Sequence, residues 1–242
     1  MRDSDFWWLT PTQKATCTHV TFGHHRPIRE DEDPRSVGWV TQAGRVSQVD
    51  RWRSKYWDKN VYRSLAVTSG TSESTGVVGP FVVDIDTDED LEDALLVARK
   101  TVRILEYQLG VELRYLRVFF TGHKGFNLEV HPLAIGLEGT VGSQIRKSAD
   151  YLHRVVAALR LGRLWKLDNQ VGDAGTVVDQ IYGGRRSGYA LKHPYLRLHD
   201  SVNCWIMPDG TTGSRRKTEL TIEELCRLTV AEIVSRSEGQ PD

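Results

Sequence analysis

The chain has 242 residues, 39% of them hydrophobic and 26% charged, an ordinary soluble-protein composition with length enough for one large or two small cores. Its 32 Lys and Arg balance its 32 Asp and Glu, which excludes a protein that coats nucleic acid by bulk charge, so any polyanion has to be gripped locally. No run of about 18 apolar residues occurs, which excludes a membrane-spanning helix, and Met1 to Asp5 leads into no apolar signal segment, so a cytoplasmic location is expected.

Cys17, Cys204 and Cys226 lie far apart without a Cys-x-x-Cys spacing, and indicate neither a disulfide framework nor a zinc ribbon. Up to about Ser74 the chain is rich in Trp, His and charge with weak periodicity, and Arg29 to Arg35 reads as a loop. The first strand expected is Val61 to Thr68, closed by Ser69-Gly70-Thr71-Ser72.

The apolar run Phe81-Val82-Val83-Asp84-Ile85-Asp86 is the next strand. Alternate side chains of a strand face opposite ways, so Asp84 and Asp86 share a face while Val83 and Ile85 turn to the core. Two like charges on one face of a strand repel unless a positive charge lies between them, and a divalent cation with oxygen ligands meets that need. A solvated strand end is the plainer alternative.

Thr87 is expected to cap a helix with Asp88, Glu89 and Asp90 in its first turn, a stripe of Leu91, Leu95, Val97, Val102, Leu105 and Leu109, and a stop at Gly110. Leu113 to Phe120 and Phe126 to Val130 read as a hairpin around Thr121 to Gly125, with Asn127 and Glu129 on one face and Phe126, Leu128 and Val130 on the other. Glycines let backbone N–H groups approach an anion, so Gly122 and Gly125 flanking Lys124 mark either a phosphate-binding bend or a simple turn.

Gly142 to Leu161 reads as a further helix, Val177-Val178-Asp179 as a short strand ending in an acid, and Tyr182 to Arg197 as a basic stretch. Thr221 with Glu224 and Thr229 with Glu232 are capping boxes that open two closing helices. Basic clusters at Arg51-Trp52-Arg53, Arg185-Arg186 and Arg215-Arg216-Lys217 are either solvated faces or phosphate contacts.

An Asp-x-Asp strand, a helix, a Thr-Gly-x-Lys-Gly-Phe hairpin, a strand-terminal Asp and an Arg-x-x-x-Ser element follow in order over roughly residues 62 to 233. That order resembles the archaeo-eukaryotic primase superfamily, which includes the small primase subunit and the primase-polymerases of plasmids and phages. Its first motif is matched by Asp84 and Asp86. Its second, Ser-Gly-x-x-Gly-x-His, is matched by Thr121, Gly122, Gly125 and, in place of the histidine, Asn127. Its third, an apolar residue before Asp, is matched by Val178-Asp179, with Leu167-Asp168 as the other choice, and Arg197 to Asn203 is a loose version of its Arg-x-Pro-x-Ser-x-His stretch, again ending in Asn.

The resemblance implies an α+β primase-polymerase fold in which a mainly antiparallel central sheet has an RRM-like catalytic part. It implies one domain over residues 1–242, with an N-terminal α/β part over 1–80 and the catalytic sheet and closing helices over 81–242, nucleotide lying in the cleft between. It implies template-directed nucleotidyl transfer at two Mg²⁺ or Mn²⁺ ions held by Asp84, Asp86 and Asp179. Thr121, Gly122, Lys124, Gly125, Asn127 and Arg197 are then expected at the triphosphate, and Arg185 and Arg186 at template or primer phosphate. The expected partners are template and primer DNA, nucleoside triphosphates and a helicase or accessory replication domain, with no membrane.

Asn127 hydrogen-bonds but carries no charge, so His123 and His131 are candidates to replace the missing histidine, His131 otherwise packing beside Pro132. Two alternatives stay open: a primase-like module that binds nucleotide or nucleic acid without turnover, and a nucleotide-sugar glycosyltransferase of the Asp-x-Asp type.

Overall fold

The computed structural model describes residues 5–16, 19–29, 38, 40–64, 67–68, 77–87, 90–135, 177–180 and 195–238, with the backbone alone at 68, 77–78, 81, 135, 177–180 and 195. The helix expected over 142–161, Cys17, Asp168, Arg185 and Arg186 lie outside the described residues.

The first part of the chain forms α1 (Pro11–Thr16), β1 (His19–His25), β2 (Ile28–Arg29), β3 (Val40–Arg45), α2 (Val49–Lys55), β4 (Asn60–Ser64), β5 (Val67–Thr68) and β6 (Val77–Val78). Then come β7 (Phe81–Asp86), α3 (Leu91–Tyr107), β8 (Leu116–Phe120), β9 (Gly125–Val130) and β10 (Val177–Gln180). The chain closes with β11 (Tyr195–Arg197), β12 (Val202–Ile206), β13 (Thr212–Arg216), β14 (Thr218–Leu220), α4 (Ile222–Arg227) and α5 (Val230–Glu238). The fold is α+β with mainly antiparallel sheets; among the described residues only β2 with β12 pairs in parallel.

One sheet has the order β10-β7-β9-β8-β14, antiparallel throughout. Val83, Ile85, Phe126, Leu128 and Val130 bury one face of it against Ala94, Leu95, Ala98, Val102 and Leu105 of α3 and against Leu225 and Ile233 of the closing helices. The other face carries Asp84, Asp86, Asn127 and Glu129, as the period of two requires.

The cap of α3 is Asp90, whose carboxylate accepts from Glu92 N–H at 2.8 Å, and not Thr87. Thr87 is still held by the sheet: its N–H donates to the Lys124 carbonyl at 2.9 Å, and its hydroxyl accepts from Asp90 N–H at 3.2 Å. The chain thus leaves β7 at Thr87 and the helix is capped three residues later. Gly110 terminates the helix with a φ of +67°.

A second sheet runs β11-β4-β1-β5-β6, with β3 also paired to β1. Its core is Val20, Phe22, Val61 and Val67 with Trp8, Trp52 and Leu198. The first strand is β1, well before Val61, because Val20, Phe22 and His24 alternate inward while its three histidines mask the pattern. The Val61 to Thr68 run divides into β4 and β5. This sheet takes β11 from residues 195–197, so the chain returns to it after building the first one. A small third sheet, β13-β12-β2, borders the tip of the β8–β9 hairpin.

Candidate active site

Asp84 is half-buried and Asp86 exposed at the end of β7, while Val83 and Ile85 beside them are buried. Position 127 of β9 lies opposite Asp84 on one side and position 179 of β10 on the other, so 127, 84 and 179 form one row across three strands. Directly opposed positions of an antiparallel pair stand about 4.5–5.5 Å apart, which puts the backbone of the third acid one strand spacing from the first. Asn127, 4% exposed, donates its amide to the Asp84 carboxylate. Asn127 therefore orients an acid. Among the described side chains no three of His, Cys, Asp and Glu gather as a metal cluster; Asp84 supplies a carboxylate in this row and Asp86 another on the same face, level with Gly125.

The bend beside this row is fixed by backbone packing. Thr121 N–H donates to the Gly125 carbonyl at 2.9 Å, and Gly125 N–H donates to the Thr121 hydroxyl at 3.2 Å. A Cβ on Gly125 would stand 1.7 Å from the Ile85 carbonyl oxygen, so only glycine lets β9 run this close to β7. Gly122 has a φ of +87° and lies against the carbonyls of Arg215 and Arg216. Asn203 Nδ2 donates to the Thr121 carbonyl at 3.2 Å and ties the bend to β12.

His123, at the tip, stacks on Trp205 with ring centroids 3.9 Å apart. Burial, then the positive charges of Lys124, Arg215 and Arg197, push its pKa down to about 4, so it is a neutral imidazole in a field of three cations. His131 accepts from Leu133 N–H at 3.1 Å and packs against Trp7 and Tyr115.

Arg197 reaches the same region from β11. Its guanidinium donates to Asn60 Oδ1 at 2.6 Å and to the Tyr62 hydroxyl at 2.7 Å, and it lies over the Tyr62 ring at 4.7 Å. His25 Nδ1 is 2.6 Å from the Arg26 carbonyl, an acceptor only, so Nδ1 carries the proton and Nε2 accepts from Tyr62 Oη at 3.0 Å. Burial, first, lowers the His25 pKa and raises that of Tyr62; Asp86 and Asp84 also raise Tyr62, which puts the acids within electrostatic reach of this ring. Both ends of the Asn60 carboxamide are engaged, since it also exchanges two 2.9 Å hydrogen bonds with the Cys204 backbone.

Sequence reasoning missed Asn60, Tyr62 and His25. The usable signal was the alternation in Asn60-Val61-Tyr62-Arg63, which sets Asn60 and Tyr62 on the face opposite Val61. The cluster Arg215-Arg216-Lys217 splits: Arg215 pairs with Glu238 at 3.1 Å and lies over Trp205, whereas Lys217 is fully buried.

No family model matches the chain, and no curated protein matches it. Among solved structures, the chain is similar to the polymerase domain from Mycobacterium tuberculosis ligase D in complex with DNA, with a TM-score of 0.47, 15% sequence identity, and coverage of 93% of this chain and 83% of that one.

Proposed function

We propose that this chain transfers nucleotides to a nucleic-acid 3′ end under template direction, as a primase, a DNA polymerase or both. The observation that carries the reading is the row of positions 127, 84 and 179, with Asp86 two residues further along β7, level with Gly125 of the bend. Acids on one sheet face, a lysine-bearing bend at their end and an arginine arriving from a second sheet are the parts that a triphosphate requires.

Carboxylate oxygens are hard donors suited to Mg²⁺ or Mn²⁺, and the Asp84 carboxylate, held by Asn127, fits that use. Asp84, Asp86 and Asp179 are the residues that would hold the ions, which supply charge neutralisation for the attacking and leaving oxygens of an in-line displacement. The protein's remaining work is positioning. Lys124 faces the phosphates from the bend, whose shape the Thr121 hydroxyl holds by donating to the Gly125 carbonyl at 3.1 Å, and Arg197 faces them from β11, its direction set by Asn60 and Tyr62. The substrate 3′-oxygen bonds to the α-phosphorus as the bond to pyrophosphate breaks.

The test is incubation with a template, labelled nucleotides and Mg²⁺ or Mn²⁺, with and without primer. Products without primer indicate a primase; extension of a primer alone indicates a polymerase. Absence of product under both metals overturns the reading, and thermal stabilisation by nucleotide in that case identifies a binding module.

A further inference from the structure

The chain carries no net charge, yet residues 51–59 (Arg51-Trp52-Arg53-Ser54-Lys55-Tyr56-Trp57-Asp58-Lys59) hold four cations against one acid, Asp58. Within this segment Trp57 is 72% exposed, the largest indole surface given to solvent among the described residues. The turn that presents it is well anchored. Tyr56 N–H donates to the Trp52 carbonyl at 3.2 Å and Lys59 N–H to the Tyr56 carbonyl at 3.1 Å. The Tyr56 ring stacks on buried His24 at 4.1 Å and packs on Trp52 at 4.6 Å.

Lys55 and Lys59 hold their ammonium groups 5.0 and 5.6 Å from the centre of that same ring, one on each side of Trp57 in the chain. Both lysines contribute, after burial, to lowering the His24 pKa, so their field is felt beneath the turn. Lys59 directly precedes Asn60, which accepts from Arg197, and three residues of chain span at most about 11 Å. The backbone of Trp57 therefore lies within about 11 Å of Asn60, the residue that holds Arg197.

We infer that the Lys55 to Lys59 turn is a landing surface for single-stranded nucleic acid, with the Trp57 indole stacked on an unpaired base and Lys55 and Lys59 on the flanking phosphates. An aromatic face between two cations suits a strand whose bases are free to stack, whereas paired bases are already stacked on one another. The inference rests on the nucleotidyl-transfer reading for its purpose, since a template has to enter as an unpaired strand, but the binding itself needs neither metal nor turnover.

The experiment measures fluorescence anisotropy of a short labelled oligothymidine with the full chain in EDTA and without nucleotide, over a series of salt concentrations. Trp57→Ala is expected to weaken binding about tenfold, and Trp57→Phe to retain most of it. The double variant Lys55→Gln, Lys59→Gln is expected to reduce the slope of log affinity against log salt by about 1.4, the share of two single-strand phosphates. Melting temperature serves as the folding control, because the side chains changed are on the surface.

Wild-type affinity in Trp57→Ala, no binding by the wild type, or equal competition by a duplex of the same length overturns the inference. So does loss of a dimer in Trp57→Ala on size exclusion, which would make the indole a self-association contact. Asp84→Ala separates the two readings, since it is expected to abolish incorporation and leave oligothymidine binding intact. Binding that depends on Trp57 in a protein without incorporation activity sinks the polymerising role alone.

Discussion

Glu129 and Lys217 form an ion pair of 3.4 Å in which neither side chain touches solvent. Arg63 Nη2 lies 3.8 Å from the other Glu129 oxygen, and Trp7 donates its indole N–H to that oxygen at 3.0 Å. Lys217 also donates to the Arg197 carbonyl at 3.2 Å, so the pair bolts β11 to β9 and fixes where Arg197 emerges. Removing one partner of such a pair leaves a buried charge without its counter-ion. Glu129→Gln or Lys217→Met is expected to cost about 3–5 kcal/mol in urea denaturation. A loss within the error of the wild type would show that water or another residue compensates.

The same carboxylate sets an acid limit on stability. Burial alone would raise its pKa, but Lys217, the hydrogen bond and charge of His199, and Arg63 outweigh burial and hold it below the ordinary carboxylate range. The unfolded chain then binds more protons than the folded one below about pH 4.5, the ordinary glutamate value, so this contribution is present above that pH and is lost as pH falls. Denaturation midpoints of the wild type are expected to fall more steeply below pH 4.5 than those of Glu129→Gln. Parallel curves would exclude Glu129 as the titrating group.

Asp84→Ala and Asp86→Ala are each expected to reduce nucleotide incorporation by about a thousandfold or more, equivalent to the several kcal/mol that ion-mediated charge neutralisation supplies. Circular dichroism should stay near wild type in both, and so should the melting temperature of Asp86→Ala, since Asp86 is exposed; Asp84→Ala leaves the buried Asn127 amide without its acceptor and is expected to lose about 1–3 kcal/mol of stability. Normal incorporation by either variant would refute the assignment of these acids to metal.

Gly125→Ala places a methyl group 1.7 Å from the Ile85 carbonyl, and a backbone atom in a sheet cannot step aside as a side chain can. The expected cost is about 3 kcal/mol, the upper end of the range for overpacking, with faster amide exchange along β7 and β9. Unchanged stability would mean that the two strands separate more easily than this packing allows.

Tyr62→Phe removes the hydroxyl that joins Arg197 to His25 while keeping the ring beneath the guanidinium. Hydrogen bonds to charged groups contribute about 1.5–3 kcal/mol, so KM for nucleotide is expected to rise about tenfold or more, with a smaller change in kcat. An unchanged KM in a stably folded variant would remove Tyr62 from the positioning of Arg197.

The Asp84-x-Asp86 strand, the β8–β9 hairpin and the two closing helices were legible because each is coded by neighbours. Alternation sets which way Asp84 and Asp86 face, and reciprocal bonds between Thr221 and Glu224 and between Thr229 and Glu232 form within three residues. Even locally, the helix start was misread at Thr87: Asp90 caps the helix, and Thr87 is tied to Lys124 across the sheet.

Only the tertiary structure decided which residues meet. Position 179 stands beside Asp84 and Asn127 grips it because three strands from distant parts of the chain pair in one register. Tyr62 and Asn60 meet Arg197 across 135 and 137 residues, a contact that no local pattern specifies. By itself the sequence determined period, caps and turns, which depend on interactions a few residues apart. Strand order and register are set by burying both sheets' apolar faces at once, and that constraint acts on the whole chain.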